Sequence, residues 1–292
     1  MTKAGFVSLI GRPNAGKSTL MNSLLGENIA MVSQKANATR KRSNAIVMHN
    51  DTQIIFVDTP GLHEREKVLN QFMLDEALKA MGDCDLIVYL APVTDSVENY
   101  EKFLKINDSK IKHIIVLSKI DQVSQEKLFK RISEYNKFSN DFEALIPMAV
   151  PKKVGHKDLL ETISKFLPES PFLFDPEDLT SELVRNIYAG FIREGIFQNV
   201  SDEIPYESDV LIDKISEEKN IDRIIATIIV EKDSQKGIII GRGGEAIKRI
   251  GKYSREKIEA LSGKKAYLDL QVVVKKGWSK DKSYLEEIGY TS

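Results

Sequence analysis

An eight-residue run, Gly11-Arg-Pro-Asn-Ala-Gly16-Lys17-Ser18, leaves few architectures open to this chain. It matches G-x-x-x-x-G-K-[ST], follows an apolar stretch that reads as a strand (Phe6–Ile10), and opens a helical pattern (Lys17–Leu25). Glycines let the backbone curl until its N–H groups point at phosphate oxygens, and the helix N-terminus adds a favourable dipole. Lys17 then reaches the β- and γ-phosphates of a nucleotide, and the Ser18 hydroxyl is a ligand for Mg2+. The rest of the first 167 residues agrees with this setting. Ala45–Met48, Gln53–Val57, Leu86–Leu90, His113–Leu117 and Ala144–Ile146 read as further strands. Helical patterns at Gln71–Met81, Val97–Asn107, Gln125–Phe138 and Lys157–Leu167 alternate with them. That alternation predicts an α/β domain, a mostly parallel sheet with helices on both faces. A His-Asn-Asp turn between Ala45–Met48 and Gln53–Val57 predicts a hairpin, and so one antiparallel strand at the sheet edge.

Three prolines within Pro168–Pro176 mark a boundary. The expected division is residues 1–167, a linker at 168–179, and a second domain at 180–292. The second part begins with a helical pattern around Leu183, Ile187, Phe191 and Ile192. β-type runs follow at Ser208–Ile215 and Ile221–Glu231, then an apolar turn, Gly241-Arg-Gly-Gly244, a basic helix to about Leu261, a strand near Lys265–Val274 and a short terminal helix.

Further motifs define the chemistry of the first domain. The run from Gly11, Arg12, Pro13, Asn14, Ala15 and Gly16 to Lys17, Ser18 and Thr19 is expected to hold nucleotide. Asp58-Thr59-Pro60-Gly61 ends an apolar strand forty residues later. There Asp58 is the expected second Mg2+ contact and the Gly61 N–H the expected γ-phosphate sensor; Thr59, Pro60 and Leu62 are counted with them. The polar stretch Ser33–Arg40 lacks periodicity, as a loop ordered by nucleotide would. Within it Thr39 is the expected switch threonine closing on Mg2+, with Thr52 as its rival. Lys17, Thr39 and Gly61 are the expected catalytic group.

Ser118-Lys119-Ile120-Asp121 follows the strand at His113–Leu117 and resembles the N-K-x-D guanine motif of GTPases, with Ser in place of Asn. The Asp121 carboxylate suits guanine N1–H and its 2-amino group, which adenine does not offer, and the Lys119 stem packs along the base. Ser118 is shorter than Asn, which predicts weaker affinity with guanine preference kept. Where GTPases carry a Ser-Ala loop this chain has Ala149-Val150, so a backbone contact from Val150 survives and a serine hydroxyl contact does not. Leu62 cannot orient water, and His63 is a weak candidate base. In GTPases with a hydrophobic residue at that place, an asparagine matching Asn14 holds K+ against the phosphates, so K+ is an expected cofactor by resemblance.

In the second domain, Gly241-Arg242-Gly243-Gly244 forms a G-x-x-G loop before a helix, the arrangement with which KH domains clamp about four nucleotides. Lys248, Arg249, Lys252, Arg255 and Lys257 follow on the helix, and Lys275 and Lys276 lie beyond the last strand. From Lys236 to Lys282 there are 13 Lys/Arg against 5 Asp/Glu, a local net of +8 in a chain whose net charge is −1. A basic module on an acidic body predicts a polyanion partner. Ile239, with Ile238 and Ile240, is expected to floor the RNA groove or to be core. Trp278 is expected to pack or to stack on a base. The β-β-α-β order suits the KH version with its extra strand on the N-terminal side.

Taken over the whole chain, Gly11–Thr19, Asp58–Gly61, the linker prolines, Gly237–Ile250 and the tail Val274-Lys-Lys-Gly-Trp-Ser through Tyr290 resemble the bacterial Era family, a TRAFAC-class P-loop GTPase with a C-terminal KH domain. The resemblance implies binding near the 3′ end of 16S ribosomal RNA, maturation of the small ribosomal subunit, and partial peripheral attachment at the inner face of the membrane. Cytoplasmic life is also expected from a single cysteine, Cys84, which excludes an intrachain disulfide. No signal peptide, no zinc-type Cys/His spacing and no run of 18 apolar residues is seen in the sequence. The departures at Ser118 and Ala149 leave a rival from another class, a passive RNA-binding assembly factor with a non-cycling nucleotide site. A nucleic-acid-stimulated ATPase is disfavoured by Asp121.

Overall fold

The computed structural model describes residues 1–32, 39–61, 68–107, 109–200 and 203–290, with backbone alone for 68–72. The chain divides into two compact units; among the described residues the first holds 1–27, 39–61 and 73–181, and the second 28–32, 68–72 and 182–290. In the first unit the order is β1 (Lys3–Gly11), α1 (Lys17–Leu25), β2 (Ser43–His49), β3 (Thr52–Asp58), α2 (Val68–Gly82), β4 (Leu86–Pro92), α3 (Glu98–Ile106), β5 (His113–Ser118), α4 (Gln125–Tyr135), β6 (Ala144–Pro147) and α5 (His156–Phe166). They form one six-stranded sheet in the order β2-β3-β1-β4-β5-β6. Only β2 runs antiparallel, closing a hairpin on β3 whose turn residue Asn50 sits at φ +52°, a conformation asparagine tolerates.

Strand register is what positions the chemistry. Leu9 pairs with Asp58, Gly11 with Leu90, Pro92 with Ser118, and Leu117 with Pro147. The phosphate loop, the aspartate turn and the base loops therefore all leave the sheet at its carboxyl edge, where ligands of open α/β sheets bind. Strands β1, β3, β4 and β5 are almost wholly buried, because helices cover both faces. On one face Ile87, Tyr89, Ile115 and Leu117 pack against Met81, Tyr100, Phe103 and Tyr135 from α2, α3 and α4.

The proline-rich passage behaves as a strap rather than a spacer. Ser170 N–H donates to Thr2 O (3.2 Å), Ile46 N–H to Leu179 O (2.9 Å), and the Thr180 hydroxyl to Asn44 O (2.5 Å). Gln53 does most of the joining: its amide donates to Phe174 O and its carbonyl accepts from the N–H groups of Leu173 and Phe174 at 2.7–3.0 Å. Proline holds the passage extended and removes donors, so one side-chain amide meets much of the remaining demand.

In the second unit the order is α6 (Val184–Asn199), β7 (Ser208–Glu217), β8 (Ile221–Val230), α7 (Asp233–Ile240), α8 (Glu245–Ser262), β9 (Lys265–Val274) and α9 (Lys282–Glu287). β8 is central, antiparallel to β7 and parallel to β9. The core joins Ile192 and Ile196 of α6, Val210, Ile228 and Val272 of the sheet, Ile239 of α7 and Ile250 of α8. The expected apolar turn at Ile238–Ile240 is the last turn of α7. Three consecutive β-branched residues disfavour helix locally, but burial of Ile239 and a side-chain cap override them. Gln235 Oε1 accepts from the N–H groups of Glu231 and Lys232 at 2.9 and 3.0 Å, satisfying donors at the helix start.

Candidate functional site

At the end of β1 the loop turns over Asn14 (φ +62°) and reaches α1 through Gly16 (φ +104°), which caps the helix. Lys17 is 6% exposed and donates to Gly11 O (3.1 Å) and Arg12 O (3.2 Å). Burial lowers its pKa to about 8, with the charge of Asp58 pulling the other way. Burial likewise pushes the Asp58 carboxyl above its ordinary range, opposed by Lys17 and by the hydroxyls of Ser18 and Thr39. A desolvated ammonium and a desolvated carboxylate make a site that favours ligands bringing the opposite charges, a polyphosphate for one and a cation for the other. Arg12 pairs with Asp95 at 3.2 Å and lies on the outer side of the loop.

Ser18, Asp58 and Thr39 converge. Ser18 Oγ donates to Asp58 Oδ2 at 2.6 Å; Thr39 Oγ1 lies 3.1 Å from Ser18 Oγ and 3.4 Å from Asp58 Oδ2. Asp58 Oδ1 is buried with no hydrogen-bond partner among the described residues. One carboxylate and two hydroxyls are hard oxygen donors, the set Mg2+ takes when substrate phosphates complete its shell. The residues present therefore fit that ion. The rival, Thr52, opens β3 at the opposite end from Asp58 and takes no part. Gly61 passes so close to the phosphate loop that a Cβ on it would meet Pro13 N at 2.5 Å. Thr59 Oγ1 donates to Leu9 O at 2.7 Å, fixing the turn to β1. Leu62, His63 and residues 33–38 lie outside the described residues.

The base loops meet the phosphate loop from the side. Ser118 Oγ donates to Ala15 O at 3.1 Å and Lys119 Nζ to Asn14 O at 2.9 Å. Short as it is, the Ser118 side chain bridges the base loop to the phosphate loop. Asp121 is exposed in a short 3-10 turn, Ile120–Gln122, next to these two residues. Val150 opens a second such turn, Val150–Lys152, where the first N–H groups have no acceptor within the turn. Ile120 N–H donates to Met148 O at 3.3 Å and joins the two base loops.

In the second unit the G-x-x-G loop joins α7 to α8. Gly241 has φ +74°, and a Cβ there would meet Ala246 at 2.7 Å, so only glycine allows the two helices to approach. Gly243 and Gly244 also lie at positive φ, and Gly244 caps α8. Arg242, Lys248 and Arg249 are exposed and form no ion pair among the described residues, leaving three cations at the N-terminus of α8. Lys252 and Arg255 are exposed, with Glu256 and Glu259 at 3.9 and 4.0 Å.

The expected RNA contact of Ile239 is corrected. Ile239 is 0% exposed and belongs to the core, while Ile238 faces solvent. Trp278 is also fully buried and donates to Glu207 O at 3.3 Å, so packing and not base stacking is its role. Lys257 turns inward to Glu194 at 2.7 Å. Lys275 places its ammonium 3.0 Å from the centre of the Tyr284 ring, whereas Lys276 is exposed.

One polar group escaped the sequence reading. Glu194 is 3% exposed on α6 and accepts from Tyr253 OH (2.5 Å) and Lys257 Nζ (2.7 Å) of α8, and from Val32 N–H (3.5 Å). Residues 28–32 cluster with this second unit, and Met31 packs on Phe197 and Tyr206. A glutamate inside the apolar stripe Phe191, Ile192, Ile196 was the available signal.

Residues 6–119 match the family described as 50S ribosome-binding GTPase, and residues 203–279 match the KH domain. GTPase Era of Campylobacter concisus (strain 13826) is 50% identical over 289 residues, covering 99% of this chain and 100% of that protein. GTPase Era of Helicobacter pylori (strain G27) is 51% identical over 294 residues, covering 99% of this chain and 97% of its own length. Two crystal structures match the full length of this chain and their own, with TM-score 0.95 and 32% identity. One is an Aquifex aeolicus Era variant bound to GDP and aluminium fluoride, and the other is Era with MgGDPNP and nucleotides 1506–1542 of 16S ribosomal RNA. With half its residues shared end to end with such relatives, and both a GTPase and a KH domain in place, the chain belongs to the Era family of GTPases.

Proposed function

We propose that this GTPase is a nucleotide-driven RNA-binding switch that acts on the 3′ end of 16S ribosomal RNA during maturation of the small ribosomal subunit. The observation that carries the reading is the convergence of Ser18, Asp58 and Thr39 on one point beside Lys17. The choice of RNA rests on the relative solved with nucleotides 1506–1542 of 16S ribosomal RNA and on the exposed cations Arg242, Lys248 and Arg249 around Gly241–Gly244.

In this reading the loop N–H groups and Lys17 bind the β- and γ-phosphates, and Asp121 reads the guanine N1 and N2 donors. Ser18, Thr39 and Asp58 would hold Mg2+, which supplies charge neutralisation at the β- and γ-phosphates. The Gly61 N–H contacts the γ-phosphate. Water attacks that phosphorus, the bond to the bridging oxygen breaks, and GDP and phosphate leave. By resemblance, Asn14 would hold a K+ ion against the same phosphates; equal turnover in K+ and in Na+ would remove that assignment.

Thr39 also ties the two activities together. It belongs to the first unit, while residues 28–32, a few positions earlier in the chain, belong to the second. Ordering Thr39 around GTP pulls on a segment that Glu194 and Phe197 hold against the RNA-binding unit, and hydrolysis releases it. The proposed setting is the cytoplasm, with membrane contact peripheral; no helix among the described residues is long and apolar enough to cross a membrane. The passive-factor reading loses its main support, because Ser118 still braces the phosphate loop and the relatives are GTPases. The test is displacement of fluorescent GDP in Mg2+ and K+. GTP but not ATP is expected to displace it; equal displacement by both would overturn the guanine assignment.

A further inference from the structure

We infer that Ser118 is a brace for the phosphate loop and not a reader of the base, so that this pocket leaves the N7 edge of guanine without a side-chain donor. The inference rests on the GTP-binding reading above. Ser118 ends β5 and is 2% exposed, so its side chain lies behind the pocket wall and not on it. A serine hydroxyl has one hydrogen to donate, and here that hydrogen goes to Ala15 O at 3.1 Å, inside the loop that cradles phosphate.

Guanine presents two kinds of edge. N1–H and the 2-amino group are donors and meet the Asp121 carboxylate. O6 and N7 are acceptors and need donors. Among Ser118–Asp121 and Pro147–Pro151 only Ser118 and Lys119 carry side-chain donors. Both are turned to the phosphate loop, Lys119 to Asn14 O at 2.9 Å. Met148, Ala149 and Val150 offer only backbone, and the Ala149 N–H already donates to Val154 O at 3.3 Å. The Val150 N–H is the group left for O6. N7 is left unread. The two bonds from the base loop instead set the curvature of Asn14–Ala15, so Ser118 contributes to nucleotide affinity through the phosphates.

An analogue separates these roles. In 7-deaza-GTP the N7 acceptor is a C–H, and everything Asp121 and Val150 contact is unchanged. Dissociation constants for GTP, 7-deaza-GTP and ATP are measured by displacement of fluorescent GDP from the full chain. The wild-type protein is expected to bind GTP and 7-deaza-GTP within about twofold of each other. Ser118→Ala, which leaves the buried Ala15 carbonyl unpaired, is expected to weaken both by the same factor, about tenfold. Ser118→Asn, long enough to keep the brace and also reach the base, is expected to create a preference for GTP over 7-deaza-GTP. If the wild type binds 7-deaza-GTP tenfold more weakly while still rejecting ATP, the inference falls and the guanine reading stands. Unchanged GTP affinity in Ser118→Ala also overturns it. Loss of all preference for GTP over ATP in the wild type overturns the guanine reading and this inference with it.

Discussion

Ile239 and Arg242 lie three positions apart, and the sequence groups both with the RNA site; the structure separates them. Consecutive residues on a helix point about 100° apart, so Ile238, Ile239 and Ile240 cannot all floor one groove. Ile239 takes the inward direction and Ile238 the outward one. Arg242, past the helix end, faces solvent beside Lys248 and Arg249. Ile239→Ala is therefore expected to cost about 2–5 kcal/mol of stability with RNA affinity of the folded protein unchanged. Arg242→Ala is expected to leave the urea midpoint in place, weaken RNA binding, and lower the slope of log affinity against log salt by about 1. Unfolding curves and RNA titrations at several salt concentrations distinguish the two outcomes. The phosphate-site residues were legible for the opposite reason: Lys17, Ser18, Asp58 and Gly61 sit in short motifs whose chemistry dictates spacing. Glu194 and the role of Ser118 were not legible, because their partners are 59 and 103 positions away in the chain.

Among elements, strands and amphipathic helices of the first unit are carried by their own periodicity, and the expected ranges agree with the observed ones to within a few residues. In the second unit α7 differs, since its apolar run says only that it is buried, and the burial of Ile239 with the Gln235 cap decides that it is helical. A second local feature belongs to α3 and β5. Tyr100 OH lies 2.7 Å from His113 Nε2 inside the aromatic cluster of Tyr89, Phe103 and Tyr135. Burial lowers the His113 pKa below its ordinary value, outweighing its contact with Ile111 O. The unfolded chain then binds a proton that the folded one refuses. His113 contributes stability that is present above the ordinary histidine pKa, about 6.5, and lost as pH falls from there towards its lowered folded value. The double variant Tyr100→Phe/His113→Phe removes both polar partners together and is expected to be nearly neutral at pH 7.5. It is expected to flatten the fall in urea midpoint between pH 7 and pH 5; an unchanged slope would assign acid sensitivity elsewhere.

At the scale of the whole molecule, the proposed switch requires a route by which RNA affinity would depend on a bound phosphate. Residues 28–32 cluster with the second unit and Thr39, seven positions after Val32, with the first, and Met31, packed on Phe197 and Tyr206, anchors the earlier segment. Met31→Ala is expected to leave GTP turnover intact while the difference in RNA affinity between the GTP-analogue and GDP states, about 5- to 150-fold for a typical coupled system, shrinks to about twofold. RNA titrations in each nucleotide state measure it, and a preserved difference would place the coupling in another segment. The sequence by itself determined the two-part fold class, the phosphate loop, Ser18 and Asp58 as oxygen donors beside it, and the G-x-x-G loop, because each depends on neighbours within a few residues or on a strand and helix period. Only the tertiary structure decided that the proline passage is strapped along β2 and β3, that Ile239 and Trp278 are core, that Ser118 spends its hydrogen on Ala15, and that residues 28–32 side with the RNA-binding unit. Those outcomes turn on which distant surfaces exclude water from one another and which buried donors find acceptors, and neither is fixed until the chain has closed on itself.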